Sequence, residues 1–233
     1  MHDADLRRLL RSRLAQMHRN DQDSRIVEEM GVWSNTVRID VAVISDEIHG
    51  FEIKSDRDTL KRLPKQAKIY GMVFDRVTLV VGERHATAAL DIVPSWWGCL
   101  LATHIGDVPT LCDEREATQN PSRDPLVLAK MLWKPEAVEI MEAFGLAKGW
   151  RSRTAADISK RLSDELPLVT LSQQVRNSLL RRERLGMERP VEVAGEAGSR
   201  LPAIGAYGSR EAAPAPTRFL APPARRSHLH PSG

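Results

Sequence analysis

The stretch from Thr36 to Lys54 leaves this chain the least conformational freedom. Val37, Ile39, Val41 and Val43 alternate with other side chains over Thr36 to Ile44, the period of a strand with one apolar face. Asp46-Glu47 stands at a turn, and Ile48 to Lys54 reads as a second strand, so the two predict a β-hairpin. Asp40 breaks the apolar face of its strand and is therefore expected on the opposite side. On the second strand Glu52 and Lys54 project together, because side chains two apart share a face. The hairpin thus predicts two carboxylates, Asp40 and Glu52, beside one ammonium.

The surrounding pattern extends this hairpin into an α/β (α+β) architecture. Asp5 to His18 places Leu6, Leu9, Leu10, Leu14 and Met17 at helical spacing, with Arg7, Arg8, Arg11 and Arg13 opposite, where they can flank a DNA channel or simply face water. Ile26 to Met30 is too short for its periodicity to separate strand from helical turn. A helix follows within Leu60 to Val73, starting near Arg62 so that Pro64 falls in its first turn. Arg76 to Gly82 is a buried strand, and Ala88 to Val93 and Gly98 to Ile105 are weaker strand candidates. From Pro125 the pattern is helical, in segments 126–133, 135–144, 154–162 and 171–185.

These readings divide the chain into a core over 1–112, a helical module over 124–186 and a tail over 187–233. Seven of the 14 prolines fall in that tail among Ala, Gly and Arg, a composition expected to be disordered. The segments around Pro167 suggest a helix-turn-helix-like unit, and Trp150 to Arg184 carries eight Lys+Arg against four Asp+Glu. No apolar run approaches the roughly 18 residues that span a bilayer, and the charged N-terminus lacks a signal peptide's apolar stretch. No membrane association and a cytoplasmic address are the expectation. Cys99 and Cys112 are too few for a disulfide scaffold and are expected to be reduced thiols.

Two carboxylates converging at a hairpin suit a hard cation such as Mg²⁺, with Mn²⁺ as a substitute, since both take oxygen ligands. Such a cation lowers the pKa of a bound water, and Lys54 is placed to orient that water or stabilise developing charge. Glu29, or Glu28, can add a carboxylate from the preceding segment. Gln66 and Tyr70 lie four residues apart, on one helix face, and line the site. Ser55 and Asp58 support it from the turn after Lys54, with Asp58 read as a cap. His85 reads as a surface histidine and Trp96-Trp97 as packing.

Asp40, eleven residues, Glu52-Ile53-Lys54 and then Gln66-x-x-x-Tyr70 resemble the PD-(D/E)XK nuclease superfamily. The stretch RIDVAVISDEIHGFEIKSDRDTLKRLPKQAKIYGMVFDRVTLVVGERH is similar to a small bacterial and phage family within it, over roughly Arg25 to Ala102. The resemblance implies a restriction-endonuclease-like core in the order helix, three strands, helix, strand. It also implies a metal-dependent site of Asp40, Glu52 and Lys54, with Glu29 at the family's additional acidic position, acting on DNA. Arg38-Ile39-Asp40 stands where many members carry Pro-Asp. A nucleic-acid-binding accessory protein that keeps this fold without turnover is the alternative expectation.

Overall fold

The computed structural model describes residues 1–33 and 36–185, and these belong to one compact unit. The expectation for 187–233 lies outside the described residues. Thirteen labelled elements follow one another: α1 (Asp3–Met17), β1 (Arg25–Val32), β2 (Val37–Ile44), β3 (Ile48–Lys54), α2 (Leu63–Tyr70), β4 (Arg76–Gly82), α3 (Ala86–Ile92), β5 (Gly98–Ile105), β6 (Val108–Arg115), α4 (Pro125–Ala129), α5 (Lys134–Ala143), α6 (Ala155–Glu165) and α7 (Leu168–Leu185). The class is mixed α/β, as expected. Among the described residues no helix is long and apolar enough to cross a membrane.

The six strands form one sheet in sequence order. β1, β2 and β3 make an antiparallel meander, β3, β4 and β5 run parallel, and β6 returns antiparallel along β5. The parallel steps need crossovers, which α2 and α3 provide. Ala88 to Val93, expected as a weak strand, belongs to α3. Six residues are too few for periodicity to decide, and alanines at 86, 88 and 89 favour the helix. β6 carries no apolar alternation because it is an edge strand none of whose residues is buried.

Each face of the sheet has its own core. On one, Leu6, Leu10 and Leu14 of α1 pack on Val41, Val43, Phe51, Ile53, Val80 and Leu100. Met17, expected on this apolar stripe, is 66% exposed. On the other face Ile39, Ala42, Ile44, Leu79 and Val81 join α2 and α3, and Leu128, Ile140, Leu162 and Val175 of α4 to α7 continue the same cluster. The helices of 124–185, read from sequence as a module of their own, therefore share the sheet's core.

One local distortion positions everything that follows. Val41 and Val43 face α1, yet Ile39 and Val37 belong to the opposite core with Ala42 and Ile44. The single apolar face expected for this strand is thus divided at Asp40. β1 and β2 hold one register on either side, pairing Glu28 with Val41 and Met30 with Ile39, and at the intervening Glu29 φ is +50°. A left-handed non-glycine residue inverts the alternation of its own strand, so Val27 and Met30 of β1 lie on one core, and β2 inverts directly across from it at Asp40. Gly50 of β3 accommodates the inverted Ile39, since a Cβ there would meet Ile39 Cδ1 at 3.2 Å.

Candidate functional site

The β2–β3 ladder ends at Val41 and Phe51, so beyond that pair the two strands splay. Ile53 N–H is left without a strand partner, and Asp40 Oδ2 accepts from it at 2.7 Å. The carboxylate that the sequence places by alternation is held here by the kink and the splay. Burial raises the Asp40 pKa, against lowering by the Ile53 N–H, Lys54 and Arg7.

Glu52 and Lys54 are both buried, at 1% and 4% exposure, and Lys54 Nζ donates to Glu52 Oε1. The same ammonium lies 3.3 Å from the Ile53 carbonyl oxygen. Gln66 Nε2 donates to Glu52 Oε1 at 2.6 Å, and Tyr70 Oη donates to Glu52 Oε2 at 2.9 Å. Gln66 and Tyr70 thus lie on the face of α2 that looks onto β3, as their four-residue spacing requires. Burial pushes the Glu52 carboxyl up to about 7, with Asp40 adding to the rise and Lys54 and Tyr70 opposing it. Burial, and then the neighbouring Glu52 charge, push the Tyr70 hydroxyl far above its ordinary value. Gln66 Oε1 is buried with no hydrogen-bond partner.

These groups open into a cleft of about 540 Å³ lined by Glu29, Asp40, Glu52, Lys54 and Gln66 together with Asp3, Arg38, Asp58, Arg62 and Lys65. Five predicted site residues therefore share one cavity. Tyr70 stands behind it through Glu52. Ser55 turns away: its Oγ and N–H both donate to Asp58 Oδ2, at 2.6 and 2.8 Å, which closes the turn after β3. Asp58 caps that turn and not the helix. Glu28 pairs with Arg11 at 3.0 Å and does not line the cleft. His85 Nε2 lies 2.9 Å from the Asp58 carbonyl oxygen, and Trp97 is fully buried and stacks near Tyr70.

Sequence reasoning did not single out Asp3, Arg38, Arg62 or Lys65 as site residues. The available signal was the cationic run Arg57, Lys61, Arg62, Lys65 and Lys68 entering α2. Elsewhere the basic side chains are largely matched with acids. On α1, Arg8 meets Asp5, Arg11 meets Glu28 and Arg13 meets Asp113. In the helices beyond 124, Arg151, Lys160, Arg161, Arg181 and Arg182 meet Glu142, Asp164, Glu165, Glu139 and Glu136. Five of the eight Lys+Arg of 150–184 are thus paired with acids within the fold. Arg38, Arg62 and Lys65 line the cleft with no ion pair among the described residues.

The candidate cation ligands on the residues lining the cleft are oxygens: the buried Glu52 carboxylate and the half-buried Asp40 carboxylate, with the Ile53 carbonyl already drawn to an ammonium and the buried, orphaned Gln66 Oε1 beside them. That set suits Mg²⁺ or Mn²⁺, which keep several waters, and offers no soft ligand. Among the described residues no group of three or more His, Cys, Asp or Glu could hold a metal ion, so waters or substrate oxygens would complete the shell.

A family model described as Bacteriophage P4 protein cII matches residues 4–187. The chain is 45% identical over 62 residues to Protein cII of Enterobacteria phage P4, covering 27% of this chain and 24% of that protein, about a quarter of the relative's length. Among solved structures it is similar to the SPO1766 protein of unknown function from Silicibacter pomeroyi. That similarity has 22% identity and a TM-score of 0.36, covering 63% of this chain and 94% of the other.

Proposed function

We propose that this chain, which belongs to the bacteriophage P4 protein cII family, is a divalent-cation-dependent nuclease that hydrolyses DNA phosphodiester bonds in the cleft beside β3. The observation that carries the reading is the gathering of Asp40, Glu52 and Lys54 in one cavity that is also lined by Arg38, Arg62 and Lys65, cations with no ion pair among the described residues. Carboxylates alone suit a cation, and cations alone suit a polyanion. Both on one cleft suit a cation that works on a phosphate. The order α1, β1 to β3, α2, β4, with β4 parallel to β3, is compatible with a restriction-endonuclease-like core.

In this reading Asp40 and Glu52 hold Mg²⁺ or Mn²⁺, with the Ile53 carbonyl beside them. The bound cation supplies Lewis acidity and positive charge at the scissile phosphate. Lys54 holds its ammonium at the junction of Glu52 and Ile53, where it can donate to a phosphate oxygen or to the attacking water. Gln66 and Tyr70 fix Glu52 by donating to both its oxygens. Arg38, Arg62 and Lys65 bind flanking phosphates and orient the strand.

The test is incubation of the purified protein with linear, nicked, circular and single-stranded DNA, with Mg²⁺ or Mn²⁺ and with EDTA. Cleavage should need the cation, and Asp40→Ala and Lys54→Ala should each lower it by at least ~100-fold, the scale of losing one electrostatic stabiliser. Cleavage that persists undiminished in both variants removes the assignment. A second reading, a DNA-binding accessory protein without turnover, draws on the engagement of both Glu52 oxygens by protein donors. It predicts DNA binding that survives Asp40→Ala with no cation-dependent cleavage in the wild type.

A further inference from the structure

Arg7 of α1 reaches across the edge of the cleft. Its Nη2 lies 3.0 Å from Asp40 Oδ1 and 3.0 Å from Glu29 Oε1, and its Nη1 donates to the Asp40 main-chain oxygen at 3.2 Å. Asp3, one helical turn back, adds a fourth contact at 3.6 Å from Nε. The other arginines of α1 meet single acids elsewhere: Arg8 meets Asp5 on the helix itself, Arg11 meets Glu28 on β1 and Arg13 meets Asp113 on β6. Only Arg7 engages the candidate site.

The two-point grip is specific to a guanidinium. One nitrogen takes the carboxylate of Asp40 and another takes its carbonyl, so the side chain is fixed relative to its own backbone. Asp40 Oδ2 is fixed separately by the Ile53 N–H at 2.7 Å. Each carboxylate oxygen has two lone pairs, so one remains on each oxygen after these bonds. Without Arg7, Asp40 keeps a single tether and its free oxygen stands near the Glu29 carboxylate. Both carboxylates touch the same nitrogen, so they lie no more than twice that contact distance apart. The two like charges would then push Asp40 off its present aim.

The positions of α1 and Glu29 make this arrangement part of the fold. Leu6, next to Arg7, is fully buried with Leu10 and Leu14 against the sheet, which sets the rotation of the helix. The φ of +50° at Glu29 brings the opposing carboxylate in at the point where the strands invert. A non-glycine residue in that region is retained only where its surroundings over-determine it.

We propose that Arg7 is the positioning residue of the cation site: it aims the Asp40 carboxylate and shields it from Glu29, so that Asp40 can ligate the divalent cation. This rests on the nuclease reading above. The experiment therefore has one arm that needs no cation. In EDTA, thermal midpoints are measured for the wild type, Arg7→Gln, Asp40→Asn and the double variant. The grip predicts shifts that are strongly non-additive, because either single change removes the same interaction. Additive shifts overturn the proposal whatever the protein does with metal.

The second arm measures Mn²⁺ binding by electron paramagnetic resonance, without DNA. Arg7→Gln should weaken Mn²⁺ binding by about 10–100-fold, the usual loss when a partner orienting a metal ligand is removed. Arg7→Lys should recover part of it, since charge returns without the two-point grip. Arg11→Gln, one turn along on the same helix, should leave it unchanged. Affinity that is unaltered or tightened in Arg7→Gln overturns the proposal, because the guanidinium is then a bystander or a competitor. Wild-type protein that shows the coupling but binds no Mn²⁺ fails the nuclease reading and the cation role of Arg7 with it, leaving only a strap between α1 and β2.

Discussion

His49 and Glu52 stand three residues apart on β3 and face opposite sides of the sheet, where burial moves them in opposite directions. Glu52 is pushed up to about 7 from 4.5, first by burial and then by Asp40. His49, stacked on Phe51 and 2.8 Å from Thr78 Oγ1, is pushed down to about 4 from 6.5, first by burial and then by Arg76 and His18. The native state keeps a proton on Glu52 that the unfolded chain has released, so that stability is present at low pH and lost as pH rises through about 7. The native state refuses a proton at His49 that the unfolded chain accepts, so that stability is present above 6.5 and lost as pH falls toward 4. Each shift corresponds to on the order of 3 kcal/mol, and the two slopes oppose each other over almost the same interval. Urea denaturation in EDTA should therefore give a shallow stability profile between about pH 5 and 6.5 for these two groups together. Glu52→Gln should unmask a rise with pH, and His49→Gln a fall. A Glu52→Gln profile no steeper than wild type contradicts the buried, proton-holding carboxyl.

At the level of elements, the parts with a clean period were readable and the parts fixed by tertiary contacts were not. Leu6, Leu10 and Leu14 announce α1, and Leu10→Ala should cost about 2–5 kcal/mol as a cavity at a fully buried position, measured by chemical denaturation. The hairpin and α2 announce Glu52, Lys54, Gln66 and Tyr70, because two-residue and four-residue spacings alone bring those side chains together. Asp40 stands beside them as expected, but simple alternation is not the cause, since β2 inverts at Asp40 itself, across from the left-handed Glu29 of β1, and a positive φ leaves no mark in the residue type. Arg7 was hidden because an arginine on an amphipathic helix reads the same whichever acid it meets. β6 was hidden because an edge strand can be polar on both sides. The cationic entry to α2 carries its own prediction. Arg62→Gln and Lys65→Gln, whose side chains line the cleft without an acid partner among the described residues, should weaken DNA binding about equally for all sequences. Each should reduce the slope of log affinity against log salt by about one. A loss confined to one sequence, with the slope unchanged, would instead mark these residues as base readers.

Across the whole molecule, the sheet and the later helices are joined by buried charge as well as by apolar contact. Arg123 of the connection into α4 meets Asp75 before β4 and donates to Ser172 of α7 at 3.0 Å. Arg182 of α7 grips Glu136 of α5 through two nitrogens, donates to the Met131 carbonyl at 2.9 Å and lies 4.1 Å over the Trp133 ring. Glu136 is 3% exposed and also accepts from the Trp133 N–H at 2.7 Å. Replacing Arg182 by Met would keep much of the packing and leave Glu136 buried without its countercharge, a change that costs about 3–5 kcal/mol. Leu128, Ile140, Leu162 and Val175 share one apolar cluster with Leu79 and Val81, so that loss should not be confined to α5 and α7. Arg182→Met should shift the urea midpoint of helix content and of tryptophan fluorescence together, with Trp97 reporting from beneath α2 and Trp133 from α5. Two separated transitions, with the sheet holding its midpoint while the helices melt early, would show that 124–185 unfolds on its own. Coincident curves would mean that a break at Glu136, far along the chain from Glu52 and Lys54, lowers the population of molecules in which the cleft exists at all.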